Sequence, residues 1–553
     1  MQIYKAVVIV FLCEIGIILS NGEELQLPLD IEEESNEELH RPKKNCTNQV
    51  RLISESNNLS TEGYEVYPGQ FPYHAVVNIK NDREASTTVT SGSLITPNYI
   101  LTCAEGLHMN IEKHENTYGF VELGYRYRAD RERQQVIDFT RSGINIHPQF
   151  AGGSLNNIAT IRLEHPVTLN RYVQPIRLPR LSDNRTFEMM EGTSLGLEYN
   201  GTMRYLRNQI MSTNDCHTNM QIICTNAYIG GAFCNRLYGA GLAVEDESGP
   251  ILIGVTSSIS WCSVNNPIWY MRLSHFRDWI ENSSNYLSLG TGEESNQQLR
   301  RPNVVDTNQV RIVSETNRLS SDGYEIYAGQ FPYHALVYIN NENPKPWESS
   351  IVQTAGSLIT PNYILTSAEV LRKNILGNGK TYGFVELGYR NGADRERQQV
   401  IDFTNSSISI HPRFSGGLFY NIATIRLEHP ATLNRYVQPI RLPRLSDNRT
   451  FEMMEGTSLG HHYNGTMRYM RNQVLPHDNC LLQEYVCTNS FIGGAFCNRV
   501  DGAGLTVEDE DGPILIGFTM RVYRCDLNER DINTRVSVYR DWIVDHSDYV
   551  FDF

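Results

Sequence analysis

The sequence lacks an excess of positive charge, and it has only one long apolar run. Lysine and arginine total 48 residues against 63 aspartate and glutamate residues, giving a formal net charge of −15. Phosphate binding needs clustered lysine and arginine, and no basic run long enough for it occurs, so nucleic acid is excluded as a partner. No apolar stretch after the N-terminus reaches bilayer-spanning length, so no membrane span is expected.

The one long apolar run lies at the N-terminus. Lys5 precedes a mostly apolar stretch over 6–19, and the small residues Ser20 and Gly22 stand near a plausible cleavage point. This order is typical of a secretory signal peptide, which we assign to residues 1–22. Glu14 leaves too short an apolar run for the alternative, an uncleaved anchor helix. The sequence therefore predicts a secreted, extracellular protein.

Secretion changes how the cysteines and asparagines are interpreted. Of 11 cysteines, Cys13 falls in the signal peptide, and the remaining even number suits a disulfide framework in an oxidising compartment. Asn-x-Ser/Thr sequons become candidate glycan sites in an exported chain. These sites are Asn45, Asn58, Asn184, Asn200, Asn282, Asn405, Asn448 and Asn464.

The chain is one sequence written twice. GYEVYPGQFPYHAVV (63–77) returns as GYEIYAGQFPYHALV (323–337), and NIATIRLEHP (157–166) returns unchanged at 421–430. A period of about 260 residues is too long for a solenoid and predicts two tandem globular domains, each large enough for its own core. The predicted parts are the signal peptide, an acidic flexible segment at 23–50, a first domain at 51–285, a linker at 286–310 and a second domain at 311–553.

Each repeat is rich in short strand-like runs. SGSLITPNYILT (91–102) and GPILIGVTSS (249–258) are β-type runs bounded by turn residues, a spacing that predicts an all-β sandwich or barrel. Each repeat closes with apolar residues at helical spacing, SHFRDWIENS (274–283) and SVYRDWIVDH (537–546), which predicts one C-terminal helix per domain.

Several motifs then converge in order on one family. SGSLITPNYILTCAE resembles GGSLISxxWVLTAAHC, and NIATIRLEHPVTLNRYVQPIRLP resembles DIALIRLxxPVxFxxxIxPICLP. Both repeats are similar to chymotrypsin- and trypsin-like serine proteases over 51–285 and 311–546. The resemblance implies an all-β fold of two tandem trypsin-like domains, each with two six-stranded antiparallel β-barrels and a C-terminal helix. The active cleft would lie between the two barrels.

Catalysis in that family needs a serine nucleophile, a histidine base and an aspartate that orients the histidine. The resemblance places Glu105 and Glu369 in the histidine position. It places Asn157 and Asn421 in the aspartate position. Glutamate cannot relay a proton from an absent serine, so this pattern predicts catalytically degenerate domains.

Two alignments compete for the serine position. VEDESGP (244–250) and its copy VEDEDGP (507–513) look like GDSGGP, which would place Glu247 there. CNRLYGAGL (234–242) and CNRVDGAGL (497–505) instead match CxGDSGGPL without a gap and place Tyr238 and Asp501 there. We favour the second alignment, under which the acidic stretches are hairpin turns. Serine is missing under either one.

The resemblance also assigns a specificity pocket and disulfides. The bulky side chains expected to fill the pocket are Phe233, Ile259, Phe496 and Val522. The implied disulfides are Cys216–Cys224, Cys234–Cys262, Cys480–Cys487 and Cys497–Cys525. Cys46 and Cys103 remain, and the second repeat lacks cysteine at both equivalent positions, Asp306 and Ser367. That suggests a Cys46–Cys103 bridge, although sequence alone does not fix connectivity.

The sequence thus favours a non-catalytic protease homologue that binds extracellular proteins such as proteases or their substrates, with no cofactor and no metal. One alternative is an endopeptidase with a displaced catalytic set, for which Glu369 and Asp501 would be a candidate carboxylate pair. Another is a seminal, salivary or matrix-associated protein. Because no implied disulfide crosses the linker, cleavage at Arg311 is expected to release two halves.

Overall fold

The computed structural model describes two successive β-rich domains within Leu59–Phe553. The residues described are 63–81, 87–113, 116–124, 133–197, 201–216, 220–225, 238–258, 267–284, 286, 323–341, 351–378, 381–389, 397–461, 465–480, 482–488, 500–520 and 531–552. No helix in these ranges is long and apolar enough to cross a membrane.

The first domain consists of two antiparallel sheets. One sheet has the order β6-β5-β2-β3-β4-β8-β7 and the other the order β1-β10-β9-β12-β13-β14-β11. The strands are β1 (Tyr64–Glu65), β2 (His74–Asn81), β3 (Thr88–Thr96), β4 (Tyr99–Thr102), β5 (Thr117–Leu123), β6 (Gln135–Thr140), β7 (Ile144–Ile146), β8 (Ala159–Arg162), β9 (Glu191–Leu197), β10 (Met203–Gln209), β11 (Ile222–Thr225), β12 (Gly241–Asp246), β13 (Gly249–Ser258) and β14 (Ile268–Arg272).

The second domain repeats the two sheets with the same strand order. Its strands are β15 (Tyr324–Glu325), β16 (His334–Asn341), β17 (Ile351–Thr360), β18 (Tyr363–Thr366), β19 (Thr381–Leu387), β20 (Gln399–Thr404), β21 (Ile408–Ile410), β22 (Ala423–Arg426), β23 (Glu455–His461), β24 (Met467–Gln473), β25 (Tyr485–Thr488), β26 (Gly504–Asp509), β27 (Gly512–Thr519) and β28 (Asp531–Arg535). Two tandem all-β domains with the same architecture are therefore confirmed.

The all-β fold class is confirmed, and each sheet contains seven strands where six were expected per barrel. The additional strands are very short and lie at the sheet edges. In the first domain they are the two-residue β1, which pairs with β10, and the three-residue β7, which pairs with β8. Pairings of two or three residues leave little hydrophobic periodicity, so the strand signal in the sequence does not detect them.

Helices are few and short. They are α1 (Glu105–Lys113), α2 (Thr213–Cys216), α3 (Arg277–Ser284), α4 (Ala368–Asn378) and α5 (Arg540–Asp545). The predicted C-terminal helices are confirmed as α3 and α5, each preceded by a turn of 3-10 helix. Ile280 in α3 and Ile543 in α5 are fully buried, so each helix is held by its apolar side against its domain.

The packed interior does not divide cleanly between the two domains. Separate clusters of buried side chains lie inside the first sheet of each domain. The largest cluster, in contrast, includes Tyr64 and Tyr205 of the first domain together with Tyr324 and Tyr469 of the second. The two domains consequently share part of one core.

Candidate functional site

The residue in the predicted histidine position begins a helix in both domains. Glu105 is the first residue of α1, with two residues between it and the end of β4, and Glu369 lies in the first turn of α4. The Glu105 carboxylate accepts a hydrogen bond from the Gly153 N–H at 3.3 Å, and that of Glu369 accepts one from Gly417 N–H at 3.4 Å. A carboxylate in the first turn also interacts favourably with the helix dipole, so both side chains have structural roles.

The residue in the predicted aspartate position is a buried asparagine whose side chain joins two separate backbone segments. Asn157 is completely buried, and its Oδ1 accepts a hydrogen bond from the Glu105 N–H at 2.8 Å. Its Nδ2 donates to the Ser257 carbonyl on β13 at 2.9 Å, so one amide joins the helix start to the second sheet. Both bonds are made to backbone, and the second requires a donor that aspartate lacks when ionised.

The second domain repeats the first half of this arrangement. Asn421 is buried, and its Oδ1 accepts the Glu369 N–H at 2.9 Å. The Glu369 carboxylate also forms an ion pair with Lys373 one helical turn later. The structure therefore brings together the residues of the predicted histidine and aspartate positions in both domains.

The predicted serine position lies in a turn against the first sheet. The backbone carbonyl of Tyr238 accepts the Ser91 N–H at 2.8 Å, and that of Asp501 accepts the Ala355 N–H at 2.8 Å. The glycine after each, Gly239 and Gly502, has a positive φ. A Cβ on Gly239 would collide with the Ser91 carbonyl and the Thr102 hydroxyl, which explains glycine at that position.

The acidic stretch that resembles GDSGGP is a hairpin turn, as the favoured alignment predicts. Asp246 on β12 pairs with Gly249 on β13, so Glu247 and Ser248 form the two-residue connection. The exposed Ser248 donates its backbone N–H to the Asp246 carboxylate at 2.9 Å. The second domain has the same hairpin between β26 and β27.

Two implied disulfides are present, Cys216–Cys224 and Cys480–Cys487. Cys103 is buried at the end of β4, but Cys46 lies outside the described residues, so that pairing stays a prediction. The other predicted residues outside the described part are Cys234, Cys262, Cys497, Cys525, Phe233, Ile259, Phe496, Val522, Asn45, Asn58, Asn200 and Asn464. The described sequon asparagines, all exposed, are Asn184, Asn282, Asn405 and Asn448.

A group of buried charges that sequence patterns did not indicate lies on strands of the second sheet of each domain. Glu191 and Arg207 are almost completely buried, as are their counterparts Glu455 and Arg471. A signal for them exists, because the same glutamate and arginine recur in equivalent strands of both repeats at one offset. Buried charges are rare unless they are paired, which makes this group the strongest polar feature away from the predicted active-site positions.

Replacing Asn157 with aspartate is expected to destabilise the first domain at neutral pH by about 2–3 kcal/mol. The carboxylate can still accept from the Glu105 N–H but cannot donate to the Ser257 carbonyl. Burial raises the pKa of such a carboxyl above its unfolded value, so the deficit exists at high pH and shrinks as pH falls through the folded pKa. Denaturant unfolding at pH 7.5 and pH 5 measures this difference.

Asn157→Ala is the matched control, because it loses both hydrogen bonds at every pH. Its deficit should therefore be the same at the two pH values. Stability of the aspartate variant equal to that of the natural chain at neutral pH would show that the bond to Ser257 contributes nothing.

Comparison with known proteins matches both repeats to one family. The trypsin family model matches residues 60–280 and again 320–543. A collagenase of Hypoderma lineatum is 28% identical over 237 residues, which cover 40% of this chain and 86% of that protein. An inactive CLIP domain-containing serine protease A8 of Anopheles gambiae is 25% identical over 245 residues, covering 40% of this chain and 66% of that protein.

One solved structure is also similar in sequence. The HL collagenase structure is 27% identical, covers 40% of this chain and 97% of its own, and has a TM-score of 0.36. The family model matches well over half of the chain, once in each repeat. The chain belongs to the trypsin family and carries two of its domains in tandem.

Proposed function

We propose that the protein is a secreted, non-catalytic serine protease homologue that acts by binding other extracellular proteins. The observation that carries this proposal is the double engagement of Asn157, which bonds the Glu105 N–H and the Ser257 carbonyl. A side chain with both ends committed to backbone is a structural support. It orients no catalytic base, because the neighbouring position holds Glu105.

The predicted serine positions support the same conclusion. Tyr238 and Asp501 replace the hydroxyl nucleophile, and a working triad loses roughly 10⁴–10⁶-fold in rate when its members are removed. The alternative carboxylate pair in the second domain gains no support, because the Glu369 carboxylate contacts Lys373 and the Gly417 N–H. Among the described residues no group of three histidine, cysteine or acidic side chains could hold a metal ion.

The similar proteins support the family assignment, and their names include both proteases and an inactive homologue. One of the related proteins carries the word inactive in its name, whereas others are named as collagenase or chymotrypsin. The fold is thus compatible with either state, and the residues at the site decide between them. Here the substituted positions favour binding over cleavage.

The experiment that tests the absence of catalysis combines peptide turnover with covalent labelling. The purified chain is incubated with fluorogenic peptides bearing arginine, tyrosine or leucine before the scissile bond, and separately with a fluorophosphonate probe. We expect turnover equal to buffer and no labelled serine. Ser248→Ala serves as the matched control. Turnover that co-purifies with the chain, together with a label mapped to one of its serines, would refute the proposal.

The binding part needs its own measurement. The chain is immobilised in native form, exposed to extracellular fluid of its source, and bound proteins are identified by mass spectrometry. We expect extracellular proteases or their protein substrates to be retained by the native chain and not by a heat-unfolded sample. Equal retention by both samples would count against specific binding.

A further inference from the structure

Four buried charges form a closed ring across the boundary between the two domains. Within the first domain Arg207 contacts Glu191 at 3.3 Å, and within the second Arg471 contacts Glu455 at 3.6 Å. Across the boundary Arg207 Nε donates to Glu455 at 3.0 Å, and Arg471 Nε donates to Glu191 at 3.2 Å. Each arginine therefore contacts both glutamates, and each domain contributes one residue of either charge.

The ring is symmetric because its members are equivalent positions of the duplication. The offset of 264 residues that separates Asn157 from Asn421 also separates Arg207 from Arg471 and Glu191 from Glu455. The contact is thus isologous, with the same patch used on both sides, as in a twofold dimer. Here both copies belong to one chain.

Neighbouring side chains fix the arginines in place. Arg207 donates to the Thr193 hydroxyl at 3.0 Å, and Arg471 donates to the equivalent Thr457 at 3.0 Å. The guanidinium of Arg207 lies 5.4 Å from the ring centre of Tyr205, whose hydroxyl donates to Glu455 at 3.1 Å. Hydrogen bonds from both domains therefore hold the ring, whereas the buried Glu455 Oε1 has no hydrogen-bond partner among the described residues.

The acidic turns provide a second set of contacts. Glu247 in the turn of the first domain lies 3.9 Å from Arg435 of the second. Glu510 in the turn of the second domain lies 3.6 Å from Arg171, which is the counterpart of Arg435. The Tyr327 hydroxyl also donates to Glu245 at 3.4 Å. Each acidic turn thus contacts the opposite domain.

We infer that the face carrying the charge ring and the acidic turn is a recognition surface whose partner is the equivalent face of the other domain. The two domains therefore remain a noncovalent pair after the linker between them is cut. This revises the expectation that cleavage at Arg311 releases two halves, which rested only on the absence of a crossing disulfide. That expectation concerned covalent connection, and the ring supplies a noncovalent one.

Charge complementarity makes this surface selective. Burial raises the pKa of Glu191 in spite of the two arginines beside it, so removal from water outweighs their attraction. A buried charge with such a cost is tolerated only beside its opposite charge. A surface that lacked the matching glutamate and arginine would therefore leave unpaired buried charges and be rejected.

The test cuts the natural two-domain chain. A recognition sequence for a site-specific protease is inserted into the linker 286–310, and the cut protein is run on a native size-exclusion column and a denaturing non-reducing gel. We expect two fragments on the gel and a single native peak at the mass of the uncut chain. Two native peaks at half mass would overturn the inference.

Charge reversal distinguishes this specific recognition from nonspecific association of the two domains. The pair Arg207→Glu with Arg471→Glu places four carboxylates at the boundary, and we expect the dissociation constant of the cut fragments to rise roughly 10²–10³-fold. Adding Glu191→Arg and Glu455→Arg recreates an alternating ring and should restore pairing. Glu112→Arg changes charge on exposed α1 and should have no effect.

A milder substitution keeps the inference testable if the charge-reversed chain does not fold. If the charge-reversed chain does not fold by circular dichroism, Glu455→Gln is used, and faster exchange between unlabelled and fluorescent fragments is expected. Pairing by either folded variant as tight as that of the natural chain would show that the ring does not specify the contact.

Discussion

Lowering the pH from 7.5 to 5 is expected to cost each domain about 2 kcal/mol of stability through one buried histidine. His74 on β2 and His334 on β16 are 3% and 5% exposed. Neither ring nitrogen of either one has a hydrogen-bond partner among the described residues. Both imidazoles are consequently held in their neutral form.

The pKa values of the two histidines explain why stability falls as pH is lowered. Burial lowers the pKa of His74 to about 4, and burial together with nearby His461 lowers the pKa of His334 to about 3. An unfolded histidine titrates near 6.5, so below that pH the unfolded chain binds protons that the folded chain does not. The contribution of these two histidines to stability is therefore complete above about pH 6.5, and it is lost as pH falls toward the folded pKa values.

The measurement compares how the unfolding free energy changes with pH, rather than its value at a single pH. The double variant His74→Met, His334→Met removes both titrations, so its unfolding free energy should fall by about 4 kcal/mol less than that of the natural chain between pH 7.5 and 5. His165→Gln is the control, because this exposed imidazole is solvated in folded and unfolded chains alike. Parallel curves for the natural chain and the double variant would contradict the assignment.

The fold could be predicted from sequence because the duplication presents the same ordered motifs twice. The turn chemistry of VEDESGP was also sufficient, since aspartate, glycine and proline beside strand residues indicate a hairpin. The favoured alignment through CNRLYGAGL is supported by Gly239, whose positive φ and close approach to Ser91 leave no room for a side chain. The hairpin prediction for VEDESGP is therefore confirmed, whereas the assignment of Tyr238 to the serine position stays a prediction.

The missed features depend on contacts between distant parts of the chain. Glu191 and Arg207 lie in strands that contain several other polar residues, and sequence patterns assign charged residues in such strands to a solvated face. Their contacts with Glu455 and Arg471 come from the second domain, and periodicity within a strand carries no record of that partner. The double role of Asn157 is similar, because Ser257 lies 100 residues away.

Removing one carboxylate from the charge ring is expected to be the most damaging single substitution near the domain boundary. Glu455 accepts from Tyr205 and Arg207 and also contacts Arg471. Glu455→Ala therefore leaves two buried guanidinium groups to share Glu191. Breaking a buried pair in this way costs about 3–5 kcal/mol, because the uncompensated charge cannot return to water.

An exposed ion pair in the same domain provides the control. Glu325 contacts Arg468 at 2.8 Å, but its side chain is 65% exposed. Glu325→Ala removes the same chemical group, and solvent takes over its role, so the expected loss is at most about 1 kcal/mol. Urea unfolding of both variants under one buffer condition gives the comparison.

Replacing the complete ring distinguishes stability from specificity. A variant with Arg207→Met, Arg471→Met, Glu191→Leu and Glu455→Leu removes all four desolvation costs together, and it should be as stable as the natural chain or up to about 4 kcal/mol more stable. If Glu455→Ala and the fourfold variant are equally destabilised, the ring contributes net attraction. If only the single variant is destabilised, the ring selects the partner domain, because the cost arises only when a buried charge lacks its opposite.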